Sequence, residues 1–145
     1  MVVALDFRGY GRSTPGSQDN RIDLDVLGAV AYLEDAGARE ISLLGASMGG
    51  WAVGSAATQC EPEQIHKVVL LAPAPIERPE AMRAGSFVYI VSEGEGSFRR
   101  VEEQYDRAPE PKRLEVLTGE AHAQHVFKTD QAQTLTDLVL AALTE

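Results

Sequence analysis

Cysteine is almost absent from this sequence of 145 residues: Cys60 stands alone. A single thiol excludes an intramolecular disulfide framework and any metal site built from several cysteines. Long apolar runs are missing too, since none approaches the roughly 20 residues of a membrane-spanning helix. No basic stretch followed by an apolar one marks a secretory leader, so a cytoplasmic location is the default expectation. Positive charge is scarce: 13 Lys and Arg face 22 Asp and Glu, for a net charge of −9. That balance argues against nucleic acid or an anionic membrane as a partner and is accounted for by solubility. Repeats, low-complexity segments and linkers are also lacking, and one domain spanning residues 1–145 is expected.

What is present alternates. Val2-Val3-Ala4-Leu5 is a continuous apolar run, the mark of a buried parallel strand. A glycine-punctuated loop, Asp6 to Ser13, follows, and turn formers extend it from Thr14 to Asn20. Asp23 or Asn20 is placed to cap a helix running to about Ala36, with Val26, Leu27, Val30 and Leu33 on one face and Gly37 as its C′ residue. Further strands are expected at Ile41–Leu44, Val68–Leu71, Phe87–Val91 and Leu114–Leu117. Between them lie a helix to about Gln59, a short helix within Glu77–Arg83, and a helix capped by Ser97 and ending near Arg107. A last helix spans Gln131–Leu143, with Leu135, Leu138, Val139, Ala142 and Leu143 on one face. Five apolar strands separated by helices imply an α/β fold, a mostly parallel sheet with helices on both faces. In such sheets chemistry sits in the loops at the carboxyl ends of the strands.

The most informative of those loops is Gly45-Ala46-Ser47-Met48-Gly49-Gly50, between an apolar strand and a helix. In that context Gly-x-Ser-x-Gly reads as a nucleophile elbow, a turn so tight that its flanking positions call for glycine. Ser47 then stands exposed at a helix N-terminus, where backbone N–H groups and the helix dipole stabilise an oxyanion. A phosphate-holding turn is the competing reading. A Walker-type loop needs Lys before the Ser, and a dinucleotide turn needs Gly-x-Gly-x-x-Gly; this stretch has neither.

Two more loops complete a constellation. Ser92-Glu93-Gly94-Glu95-Gly96 offers two carboxylates, and Thr118-Gly119-Glu120-Ala121-His122 offers an imidazole. A serine hydroxyl is a poor nucleophile until an imidazole takes its proton, and the imidazole needs a carboxylate to fix its tautomer. The chain order Ser47, acid, His122 suits that chemistry. Glu95 is the first candidate for the acid, with Glu93 and Glu77 as alternatives. His125 rivals His122 but lies further from the strand. His66 precedes a strand, at the wrong end of the sheet. Asp6 is expected to orient its own loop and Arg8 to pair with a nearby acid. Trp51 and Cys60 read as packing residues.

These motifs together resemble the α/β-hydrolase superfamily, of the small lidless esterase or dienelactone-hydrolase-like type. Asp6-x-Arg8-Gly9-x-Gly11-x-Ser13 is similar to the loop after that family's fourth strand, and Gly119-Glu120-Ala121-His122 to its histidine segment. The resemblance implies Ser47 as nucleophile, His122 as base and the Met48 N–H as an oxyanion-hole donor. Where the family usually has Asp after Gly, this sequence has Glu95 after Gly94. It implies no metal and no cofactor. It also implies three preceding strands that this sequence lacks, the third of which is followed by the loop supplying a second oxyanion donor. The expectation is therefore a truncated product or fragment. Its open apolar sheet edge invites pairing with a second copy as a homo-oligomer.

Three functions are carried forward. The first is hydrolysis of a small-molecule ester, thioester or related acyl substrate through an acyl-enzyme. The second is a catalytically impaired hydrolase-like module that binds a ligand or partner. The third is another acyl-transfer class, a serine peptidase or acyltransferase. Ser47 at the elbow disfavours haloalkane dehalogenase chemistry, which needs Asp there, and dienelactone hydrolysis, which usually uses Cys. The stretch between Leu71 and Phe87 is too short for a lid domain, which favours a small soluble substrate.

Overall fold

The computed structural model describes residues 1–17 and 20–144; residues 18 and 19 of the expected Thr14–Asn20 turn region lie outside the described residues. The chain runs through α1 (Asp23–Asp35), β1 (Ser42–Ala46), α2 (Met48–Ala57), β2 (Lys67–Leu71), β3 (Ser86–Ser92), α3 (Phe98–Arg107), β4 (Lys112–Leu117) and α4 (Ala132–Thr144). Short 3₁₀ turns occupy Pro79–Ala81 and Ala123–Lys128. The strands form one parallel sheet in the order β1-β2-β3-β4, with Leu44 opposite Val69, Val69 opposite Val88, and Val88 opposite Arg113.

The apolar runs explain the layering. Every residue of β2 is buried, as is all of β3 after Ser86, so both faces of the sheet's centre are covered. α2 packs on β1 and β2, α3 on β3, and α4 returns to β2, while α1 lies against α2. One core joins them, with Val26 and Val30 of α1, Val68–Leu71, Phe87–Val91, Val101 of α3 and Leu135 of α4 among its members. In that core Tyr89 meets Tyr105 edge to face at 5.7 Å. α1 closes in a Schellman arrangement: Ala38 N–H donates to Leu33 O and Gly37 N–H to Glu34 O, with Gly37 at φ +85°.

Four expectations are corrected. Val2–Leu5 forms no strand, and Val2 is 95% exposed. Its residues suit a strand, but a strand exists only as part of a ladder, and β1 pairs with β2 alone among the described residues. The sheet therefore has four strands, not five. Neither Asn20 nor Asp23 caps α1: the helix has no side-chain cap, and the buried Asp23 carboxylate is taken by Arg21 and Gln59 instead. Ser97 precedes α3 but makes no capping hydrogen bond. Leu143 sits on the expected face of α4 yet stays exposed, together with Leu140.

Candidate active site

The elbow is built by steric exclusion. Ser47 adopts φ +52°, ψ −117°, a conformation that side chains rarely take, between the end of β1 and the start of α2. It is held there by its N–H donating to Leu71 O and by its carbonyl accepting from Trp51 and Ala74 N–H groups. A Cβ on Gly45 would lie 2.3 Å from Gly49 O, and one on Gly50 would lie 2.8 Å from Pro73 Cβ. At Gly49 the nearest atom is a Phe7 ring carbon at 3.8 Å, an ordinary contact. The expected need for glycine on both sides of the serine thus holds at Gly45 and passes from Gly49 to Gly50.

The loops after β3 and β4 are stitched together beside it. Glu93 N–H donates to Leu117 O and Gly94 N–H to Gly119 O. The buried Ser92 hydroxyl reaches Ala121 O at 2.8 Å, one residue before His122. Ala123, directly after His122, is fully buried at φ +50°. The histidine is therefore fixed from both chain directions.

These constraints bring Ser47, His122 and Glu95 together. His122 Nε2 lies 2.9 Å from Ser47 Oγ, and Nδ1 lies 3.3 Å from each Glu95 carboxylate oxygen. Ionised Glu95 accepts hydrogen bonds only, so a neutral His122 carries its proton on Nδ1 and leaves Nε2 free to accept from the Ser47 hydroxyl. The Glu95 side chain is 2% exposed and that of His122 44%, so the acid is sealed while the base faces solvent. Met48 begins α2, where first-turn N–H groups have no intrahelical acceptor. The Tyr10 hydroxyl reaches Met48 Sδ at 3.8 Å, joining the Asp6–Ser13 loop to the elbow.

The other candidates lie elsewhere. Glu93 is exposed on its loop. Glu77 accepts from Trp51 Nε1 at 3.2 Å. His125 is exposed in the 3₁₀ turn and lines, with Glu95 and His122, a cleft of about 760 Å³ that adjoins the site, although Ser47 is not part of its walls. His66 donates its N–H to Ile41 O at the amino ends of the strands. Asp6 accepts from Arg12 N–H within its own loop. Arg8 grips Asp25 through its backbone N–H, Nε and Nη2 at 2.7–2.9 Å. That hydrogen bonding holds the Asp25 carboxyl below its ordinary range, as Arg21 does for Asp23. Cys60 is buried in the core, and burial pushes its thiol pKa up. Among the described residues no cluster of His, Cys, Asp and Glu could hold a metal ion, and no helix is long and apolar enough to cross a membrane.

Sequence reasoning missed two hydroxyls. Ser92 is buried at the end of β3, and Ser97 donates to Glu95 Oε1. Their signal is two serines flanking the acid at three residues before it and two after.

The sequence model of one family, described as alpha/beta hydrolase fold, matches residues 1–144. Among solved structures, a dienelactone hydrolase from Anabaena variabilis is 22% identical with a TM-score of 0.66, over 82% of this chain and 56% of that one. An alpha/beta serine hydrolase homologue from Coxiella burnetii is 19% identical with a TM-score of 0.75, over 96% of this chain and 67% of its own. An esterase from Pyrococcus furiosus is 16% identical with a TM-score of 0.69, over 95% of this chain and 68% of its own. No curated protein matches. The chain thus spans little more than half the length of the dienelactone hydrolase, and likenesses at these identities speak to the fold.

Proposed function

The chain belongs to the alpha/beta hydrolase family, and from that premise we propose that it is a serine hydrolase cleaving small esters, thioesters or related acyl bonds. The observation that supports this reading most is the 2.9 Å approach of His122 Nε2 to Ser47 Oγ, with Glu95 behind Nδ1. In the proposed reaction Ser47 Oγ attacks the acyl carbonyl while His122 takes its proton. The negative charge developing on the carbonyl oxygen is met by the Met48 N–H and the N-terminus of α2. His122 passes its proton to the leaving group, giving an acyl-Ser47 that water, activated by the same imidazole, hydrolyses. Glu95 stabilises the imidazolium in both halves. Residues 72–85, between β2 and β3, contain only one 3₁₀ turn, which supports a small soluble substrate rather than one needing a lid. Labelling by a fluorophosphonate probe tests the reading. Attachment to Ser47 in the wild type and none in Ser47→Ala is expected, and folded wild type that stays unlabelled contradicts it.

A second reading rests on the outer side of β1. β1 pairs with β2 alone among the described residues, and its Leu44 is 47% exposed. We propose that this edge pairs with a second copy of the chain, which would let a hydrolase-like fold serve as an interaction module even without turnover.

A further inference from the structure

Ser97 occupies the place of a helix cap and does something else. It directly precedes α3, where a serine hydroxyl ordinarily accepts from the N–H groups of the first turn. Here its backbone sits at φ −97°, ψ −3°, near the helical region rather than the extended one of a cap, and its hydroxyl makes no capping bond. The hydroxyl donates instead to Glu95 Oε1.

Glu95 needs such a partner. It sits between Gly94 and Gly96, and a glutamate has one more rotatable bond than an aspartate in the same role. Its carboxylate is buried, where an oxygen without a donor carries the full cost of desolvation. His122 Nδ1, equidistant from the two oxygens, has one proton to give. Backbone bonds from Glu95 N–H to Ser92 O and from Phe98 N–H to Glu95 O fix the turn, but neither reaches the carboxylate. The second donor comes from Ser97.

We propose that Ser97 is a positioning residue: by holding Oε1 it fixes the plane of the Glu95 carboxylate, both oxygens of which face His122 Nδ1, and so sets the orientation of the imidazole against Ser47. The inference rests on the serine hydrolase reading above. A group that acts by orienting the base affects the chemical step rather than substrate binding, so its removal lowers kcat and spares KM.

Three variants test it, assayed for p-nitrophenyl acetate hydrolysis, fluorophosphonate labelling rate and thermal midpoint. Ser97→Ala is expected to lower kcat and the labelling rate about tenfold or more, the effect of losing a hydrogen bond to a charged group, with KM near wild type and Tm lowered because a buried Glu95 oxygen loses its donor. Ser97→Thr restores the hydroxyl and is expected to recover most of the loss. Ser97→Asp is the discriminating case. Aspartate is a better cap than alanine, so a helix-capping role predicts full activity and unchanged or raised Tm. A positioning role predicts a loss at least as large as in Ser97→Ala, because a second carboxylate meets Glu95. Wild-type kcat in Ser97→Asp, or an Ala variant that loses Tm but keeps kcat, overturns the inference. If Ser97→Ala does not fold, the contrast between Thr and Asp decides. Wild type labelled at Ser47 with Ser97→Ala labelled equally fast removes this inference alone; wild type that is never labelled removes the hydrolase reading and this inference with it.

Discussion

A single methyl group separates the glycines around Ser47. On Gly45 it would fall 2.3 Å from Gly49 O, inside backbone that has nowhere to go. On Gly49 it would meet a Phe7 ring carbon at 3.8 Å. Gly45→Ala is therefore expected to destabilise the fold by at least about 1–3 kcal/mol, the usual cost of overpacking. Gly49→Ala should be neutral or stabilising by up to about 1 kcal/mol, since alanine loses less backbone entropy in a helix. Urea midpoints of the two variants check this, and equal losses would contradict it. The pentapeptide Gly-x-Ser-x-Gly alone did not separate these glycines, because the close approach at Gly50 comes from Pro73, distant in sequence. Ser97 was opaque for a similar reason. Its position suggests a cap, and only the folded loop shows where its hydroxyl goes.

Elements were more legible than their ends. The apolar runs 68–71, 87–91 and 114–117 lie within β2, β3 and β4, and α1, α3 and α4 fall within one or two residues of their expected bounds. Continuous burial on both faces of β2 and β3 writes itself directly into their composition, whereas β4 at the sheet's edge is only partly buried. Helix caps did not, because the first turn of α1 is anchored through its carboxylates, by the distant Arg8 and Gln59 and the neighbouring Arg21, rather than by a cap. Arg8 holds Asp25 from the loop before the helix, and Arg21 with Gln59 of the segment after α2 holds Asp23. Both carboxyl pKa values are lowered in the fold from an ordinary 3.8. The unfolded chain therefore takes up these protons at higher pH than the folded one. The stability they contribute is complete above the ordinary Asp range and is lost as pH falls through it to the lowered folded values. Thermal midpoints should fall steeply below about pH 4. In Asp23→Asn/Asp25→Asn the midpoint should start lower and fall less steeply over that range; identical slopes would count against the account.

At the scale of the molecule, the alternation of strands and helices made the parallel α/β architecture readable, and with it the side of the sheet where loops converge. That Ser47, Glu95 and His122 sit in loops after β1, β3 and β4 follows from chain order and strand direction. The fate of Val2–Leu5 did not follow, because pairing depends on what lies alongside. β1 is an edge of the sheet that pairs with β2 alone among the described residues, and the proposed pairing of copies belongs there. Sedimentation velocity over a range of concentrations should show self-association of the wild type that Leu44→Lys abolishes, since an edge lysine blocks strand addition. A wild type that is monomeric throughout would remove that proposal while leaving the chemistry of the elbow untouched.

The hydrolase reading itself comes down to whether Ser47 is activated. The most direct measurement is the rate of p-nitrophenyl acetate hydrolysis by the purified chain beside Ser47→Ala, with folding of both verified by circular dichroism. The account predicts turnover in the wild type that falls to the uncatalysed background in the variant. Equal rates from two folded proteins would contradict it.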